Sequence, residues 1–259
     1  MSRLRSRVVP VAAVTAVERA RMWEVFEAAY ADVDLATFSA DLAAKDDVIL
    51  LEDESGVQGF STQREVRVVI EGRTHVGVFS GDTVLAPAYW GSRVLGHAFL
   101  RYMLGRRLRV PHLPFWWILI AKGYKTYLMM ANNFPTHWPR HEAPTPPQVE
   151  GVRDAFGGAL FAEGWKPDEG VVRWARPRGR VKADVADITA ELRARPRIAY
   201  FEDLNPGWAG GDELLCLAPM DLSMPFRYAL KALQRGPSES RDDAARRARN
   251  GSMDAGASS

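Results

Sequence analysis

The residues best suited to chemistry lie together in Arg93-Val94-Leu95-Gly96-His97-Ala98. From Arg93 to Gly105 the apolar side chains Val94, Leu95, Ala98, Phe99, Tyr102 and Met103 recur at helical spacing, so a helix opens at this point. The first helical turn has backbone N–H groups without intrahelical partners, and the helix dipole adds partial positive charge there. A pyrophosphate is a ligand that such a turn favours. Gly91 and Gly96 permit close backbone approach, Ala98 is small enough for tight helix packing, and Arg93 adds a charge-assisted donor. His97 sits inside the same turn as a further contact. The same pattern also describes an ordinary strand–loop–helix corner, so the elements around it decide its meaning.

Those elements follow from hydrophobic spacing. Thr15 is the N-cap candidate for a helix over 17–31, and a second short helix covers 35–44. A buried strand at 48–51 is followed by strands over 57–70 and 73–85, with turns at Gly56 and Glu71-Gly72. The loop 86–92 leads into the helix that opens at Arg93. Beyond Pro111 and Pro114, the run Phe115-Trp116-Trp117-Ile118-Leu119-Ile120-Ala121 reads as another buried strand, with a helix over 124–130 after it. Five prolines mark a long connection at 132–148, and 149–161 returns to helix. Two short strands close the unit around Asp168-Glu169-Gly170. The fold class this order gives is α+β: a mixed, mostly antiparallel sheet flanked by helices, with a C-terminal extension.

Composition narrows the function. The chain has 259 residues, 47% hydrophobic and 25% charged, with a formal net charge of +2. That balance allows a substantial core and argues against a general nucleic-acid binder. Arg101, Arg106, Arg107 and Arg109 cluster locally, which suits a small anion or a solvated helix face. The single cysteine, Cys216, excludes an intrachain disulfide and a thiol-based zinc site, and the five histidines show no ligand-like pairing. No signal peptide is apparent, and the most apolar run, 113–121, is too short for a bilayer span. The expectation is a cytoplasmic protein that takes no metal.

The Arg93-x-x-Gly96-x-Ala98 turn resembles the coenzyme-binding loop of the GNAT superfamily of acyl-CoA transferases, which reads Arg or Gln, two residues, Gly, one residue, then Gly or Ala. The order of elements, from about Val8 to Ala175, is similar to that family's fold. The resemblance implies acetyl-CoA or another acyl-CoA as co-substrate. It places the pyrophosphate on Arg93, Val94, Leu95, Gly96, His97 and Ala98, and the pantetheine arm against the backbone of Val84, Leu85 and Ala86. Pro87, with no N–H, limits that pairing. The arm would lie in a V between the strand ending at Leu85 and the strand over 115–121.

Acyl transfer to an amine needs an acceptor for the amine proton and a donor for the departing thiolate. Asp82, just before the coenzyme-binding segment, is the first candidate for the base, with Glu65 and His75 as alternatives. The resemblance implies a tyrosine acid in the helix after the fifth strand, where Tyr124 and Tyr127 stand and Tyr127 fits better. However, Asn132 and Asn133 follow these tyrosines, whereas the family's asparagine precedes its tyrosine. Trp116, Trp117, Phe134 and Trp138 are either core or the wall of an enlarged acyl pocket. The expected domains are residues 1–176 for acyl-CoA binding, 177–235 as an extension able to act as a lid, and 236–259 as a disordered tail. An acyltransferase with an amine acceptor is the leading reading. A non-catalytic acyl-CoA sensor or interaction module and a fatty-acyl GNAT-like synthase are the rivals.

Overall fold

The structure, a computed structural model, describes residues 3–175, 179–181 and 187–221. An eight-stranded sheet forms its centre. In chain order the strands are β1 (Arg5–Pro10), β3 (Asp47–Asp53), β4 (Gly56–Ile70), β5 (Arg73–Leu85), β6 (Phe115–Ala121), β7 (Trp165–Lys166), β8 (Val171–Val172) and β10 (Glu213–Pro219). Their spatial order is β1-β3-β4-β5-β6-β10-β8-β7. Every pairing is antiparallel except β5 with β6. A separate two-stranded ribbon joins β2 (Tyr30–Ala31) to β9 (Arg180–Val181). The mixed, mostly antiparallel α+β class expected from the sequence is the observed one.

Helices cover both faces. On one lie α1 (Ala16–Ala29) and α2 (Leu35–Ala43), packed through Met22, Phe26, Phe38 and Leu42 onto Val48, Leu50, Phe60 and Val84. Farther along the same face, α5 (Pro147–Phe161) sets Val152 and Phe156 on Phe79, Ile118 and Leu215. On the other face, α3 (Val94–Arg109) and α4 (Tyr124–Ala131) pack on Val76, Val78, Trp117 and Leu119, joined by α7 (Pro196–Leu204). The short helix α6 (Ala190–Arg193) precedes α7.

Local chemistry accounts for the boundaries. Thr15 caps α1 in a capping box: its hydroxyl accepts from the Glu18 N–H at 3.2 Å, and its own N–H donates to the Glu18 carboxylate at 2.7 Å. Glu71 and Gly72 both take positive φ, 49° and 77°, as a tight hairpin turn between β4 and β5 requires. Helix α3 runs four residues past the expected end at Gly105, its last turn carrying Arg106, Arg107 and Arg109 against the negative end of the dipole.

Two strands of the central sheet were not expected, and neither was the β2–β9 ribbon. β1 pairs with β3 along the sheet edge; Pro10 is tolerated because it ends the strand. β10 comes from the segment expected as an extension, yet it lies between β6 and β8. Its run Glu-Leu-Leu-Cys-Leu-Ala-Pro is buried on both faces, so it lacks the alternation that marks a half-exposed strand. The end of the extension expected over 177–235 and the expected tail at 236–259 lie outside the described residues. Among the described residues no helix is long and apolar enough to cross a membrane.

Candidate active site

The site begins where two parallel strands part. β5 and β6 are in register from Val76↔Phe115 to Ser80↔Leu119, and no pair follows, although β5 continues to Leu85 and β6 to Ala121. The expected V is present. β5 departs from regularity at the same point: Ser61 faces Thr83 and Gln63 faces Ser80, so Gly81 and Asp82 together oppose the single residue Thr62. This is a β-bulge, which adds one residue to a strand and bends it.

The bulge sorts side chains between the two faces. Ser80 and Thr83 line a cavity of about 330 Å³ on the α3 side, with Ser61, Ser92, Arg93, Leu95, Gly96, His97, Phe99, Trp117, Asn133 and Phe134 among the other walls. Its floor is a continuous hydrogen-bonded chain. Ser61 and Thr83 share a bond of 2.8 Å, Gln63 Nε2 donates to Ser61 Oγ at 2.8 Å, and Ser80 Oγ donates to Gln63 Oε1 at 2.9 Å. The Trp117 indole N–H donates to Ser80 Oγ at 3.0 Å, and its ring centroid lies 4.6 Å from those of both Phe99 and Phe134. Sequence reasoning missed this floor. The polar run Ser61-Thr62-Gln63 inside a buried strand was the available signal.

The Arg93 turn lines the rim of this cavity. Gly91 takes φ +86°, which favours glycine, and Arg93 is the N-cap of α3 with no side-chain cap bond. The Val94 N–H donates to Ser92 Oγ at 3.3 Å. The N–H groups of Leu95 and Gly96 have no acceptor among the described residues, and the exposed Arg93 guanidinium has no ion pair there. Ala98 is buried against the sheet and His97 is exposed at the rim.

The three backbone positions at the end of β5 behave differently. The Ala86 N–H is engaged by the Gln58 carbonyl at 2.8 Å, so Ala86 offers no donor to the cleft. Backbone groups alternate in direction along a strand, which turns those of Leu85 toward the V. The Leu85 carbonyl already accepts from Trp90 Nε1 at 2.8 Å, leaving its N–H as the outward group. Val84 packs its side chain against α1 and α2, away from the cavity.

Among the proton-transfer candidates, the fold brings only Asp82 to the V. Its carboxylate has no hydrogen bond or ion pair among the described residues. Burial pushes its pKa up to about 6, Asp41 adds to the rise, and Lys122 and Lys45 oppose it. Asp82 is half-buried.

The remaining candidates lie elsewhere. Tyr127 has no exposed surface; its hydroxyl donates to the Pro139 carbonyl at 3.3 Å and its ring packs 5.9 Å from Phe201, so it does not reach the cleft. Tyr124, at the start of α4, is also core. Glu65 is held by Arg67 at 3.0 Å and Arg106 at 3.6 Å, outside the cavity lining. His75 stacks on Trp116 and accepts its indole N–H at 3.2 Å, at the opposite end of β5. Trp138 belongs to the α5 face. The arginine cluster on α3 is largely engaged: Arg106 pairs with Asp47, Arg107 donates to the Val110 and Pro111 carbonyls, and Arg101 donates to Ser6. No cluster of three or more histidine, cysteine or carboxylate groups suited to a metal occurs among the described residues.

No protein-family model and no curated protein matches this chain. Several solved structures are similar to it. One is a probable N-acyltransferase from Enterococcus faecalis, at 11% identity and a TM-score of 0.40, covering 52% of this chain and 33% of that one. The match therefore spans about a third of that protein's length. Another is a GNAT family N-acetyltransferase from Escherichia coli in complex with CoA, at 11% identity and a TM-score of 0.37, covering 54% of this chain and 77% of that one. A third is a GNAT family acetyltransferase from Brucella melitensis in complex with acetyl-CoA, at 20% identity and a TM-score of 0.33, covering 46% of this chain and 76% of that one.

Proposed function

We propose that this protein transfers an acyl group from an acyl-CoA to an amine by direct attack. One observation carries the reading. The V between β5 and β6 has a helix N-terminus with unclaimed N–H groups at the rim of one face and a partnerless carboxylate, Asp82, on the other. A pyrophosphate fits the Leu95 and Gly96 N–H groups, with Arg93 free to pair with its oxygens. A pantetheine arm would then run along the cavity, with the Leu85 N–H as its backbone partner, and reach the V with its thioester.

The amine would approach from the α1–α2 face. Asp82 receives the proton that the amine gives up as its nitrogen bonds to the thioester carbonyl carbon. The carbon–sulfur bond then breaks, the electron pair leaves on sulfur, and the products are an amide and a thiolate, which takes a proton from solvent. A thiol of pKa about 8.5 leaves readily as thiolate near neutral pH, so the step does not require a tyrosine acid at the cleft. Cys216 is buried on β10 and burial pushes its pKa up, which makes a covalent acyl-enzyme on this residue chemically unfavourable.

Thermal melting in CoA, acetyl-CoA and a long-chain acyl-CoA tests binding, and thiol release over an amine panel tests transfer. A raised melting temperature is expected with acetyl-CoA. No shift with any CoA compound at high concentration would sink the reading. A shift without thiol release would favour a non-catalytic acyl-CoA-binding protein.

A further inference from the structure

The hydrogen bonds of the cavity floor run in one direction. The Trp117 indole N–H can only donate, so Ser80 Oγ accepts from it at 3.0 Å. Ser80 sends its own hydrogen to Gln63 Oε1 at 2.9 Å, and Gln63 Nε2 then faces Ser61 Oγ at 2.8 Å. The Thr83 hydroxyl donates to the Gly81 carbonyl at 3.3 Å, which leaves the 2.8 Å bond between Ser61 and Thr83 to the Ser61 hydrogen. In this direction every hydroxyl hydrogen of the floor has an acceptor inside the protein. Turning the Gln63 amide over would give Ser80 two donors and leave its own hydrogen outside this chain of bonds.

A hydroxyl has one hydrogen and two lone pairs. Ser61, Ser80 and Thr83 each spend the hydrogen and one lone pair on this chain, so each keeps one lone pair and no donor. All three line the cavity, and the aromatic walls from Phe99 and Phe134 offer those lone pairs nothing. The rim has the opposite polarity, because Arg93 and the Leu95 and Gly96 N–H groups are donors. The cavity thus passes from donors at its rim to acceptors at its floor. A ligand that matches it carries an anion at one end and N–H or O–H groups farther in.

We propose that this floor reads a hydrogen-bond donor on the acyl-CoA, either an amide N–H of the pantetheine arm or a hydroxyl on the acyl group. This rests on the acyltransferase reading above, which runs the arm along the cavity from a pyrophosphate at the rim. A ligand N–H or O–H placed over the floor finds a lone pair to accept it. A ligand carbonyl or carboxylate oxygen in the same place meets only lone pairs and loses its bonds to water without return. Thr83 is half-buried where Ser61 and Ser80 are buried, so it is the floor hydroxyl most open to a ligand. Removing its hydroxyl also releases the Ser61 hydrogen, so the floor loses an acceptor and gains a donor.

Calorimetry on the full chain, Thr83→Val and Thr83→Ser tests this with CoA, butyryl-CoA, 3-hydroxybutyryl-CoA and 3′-phospho-ADP, the nucleotide part of coenzyme A. The valine keeps the branched shape and removes the hydroxyl, which the serine restores. If the donor lies on the pantetheine arm, Thr83→Val weakens CoA and both acyl-CoAs about ten-fold. If it lies on the acyl group, CoA and butyryl-CoA keep their affinity. The unaltered protein then binds 3-hydroxybutyryl-CoA about ten-fold tighter than butyryl-CoA, and Thr83→Val loses that advantage. In either case Thr83→Ser recovers the affinity, and 3′-phospho-ADP binds all three proteins equally. CoA and 3-hydroxybutyryl-CoA affinities that stay the same in Thr83→Val overturn the floor and leave the acyltransferase reading standing. So does a loss of 3′-phospho-ADP binding equal to the loss of CoA binding, which marks a disturbed fold. Failure of the unaltered protein to bind CoA fails the parent reading, and the floor with it.

Discussion

At the scale of single residues, Asp82 joins activity to stability. Its folded pKa of about 6 lies above the ordinary carboxyl value of 3.8, so the folded protein holds this proton more tightly than the unfolded chain does. The cost to stability is absent below pH 3.8 and fully present above about pH 6. Asp82→Asn is therefore expected to be more stable than the unaltered protein at pH 8, by about 1–3 kcal/mol, in denaturant titrations. The same substitution should lower kcat by about a hundred-fold or more with acetyl-CoA affinity retained, since only the proton acceptor is lost. In the unaltered protein kcat/KM should fall about ten-fold per pH unit below pH 6 as the base becomes protonated. A rate profile flat from pH 5 to 8 would remove Asp82 from the mechanism. Arg93→Ala is expected to weaken acetyl-CoA binding about ten-fold by calorimetry, the effect of losing one charge-assisted bond. Arg93 and its turn were legible because type and spacing mark a helix N-terminus.

At the scale of elements, the site depends on where β5 stops pairing with β6. Gly77 lies in the paired stretch, and a Cβ there would meet Ile118 Cδ1 at 2.5 Å and Phe156 Cε1 at 2.7 Å. Gly77→Ala should therefore push α5 and β6 away from β5 and cost about 1–3 kcal/mol of stability in urea titrations. A stability equal to that of the unaltered protein would show that α5 repacks freely. Most elements were readable from their periodicity: α1 by its Thr15–Glu18 box, the β4–β5 hairpin by Glu71-Gly72, and α3 by its apolar spacing. The bulge was not, since a strand of 13 residues reads the same with or without one extra residue. Yet the bulge decides that Asp82 and Ser80 face opposite sides.

For the whole molecule, the segment after residue 176 is joined to the sheet by β10. Its pairs with β6 run from Leu214↔Ala121 to Pro219↔Trp116, and Leu214 also faces Val171 of β8. A chain ending at Ala175 leaves β6 with an open apolar edge and β8 without its neighbour. Such a chain is expected to lose its cooperative melting transition and to bind a hydrophobic dye. A cooperative melt from residues 1–175 would instead support the domain boundary expected at 176. Glu213, at the start of β10, also holds Lys122 beside the Asp82 group, so the late segment contributes to the electrostatics of the cleft.

The sequence by itself determined the α+β class, the order of most of the elements and the helix that opens at Arg93. Each of these depends on near neighbours along the chain: periodicity, capping groups and glycine at a turn. Tertiary structure alone decided that Tyr127 packs in the core, that Glu65 is held by arginines, and that Asp82 turns to the face opposite Ser80. Those outcomes depend on strand register and on contacts between residues far apart in the chain. A one-residue bulge moves a side chain from one face of the sheet to the other, and no local pattern of residue types records it.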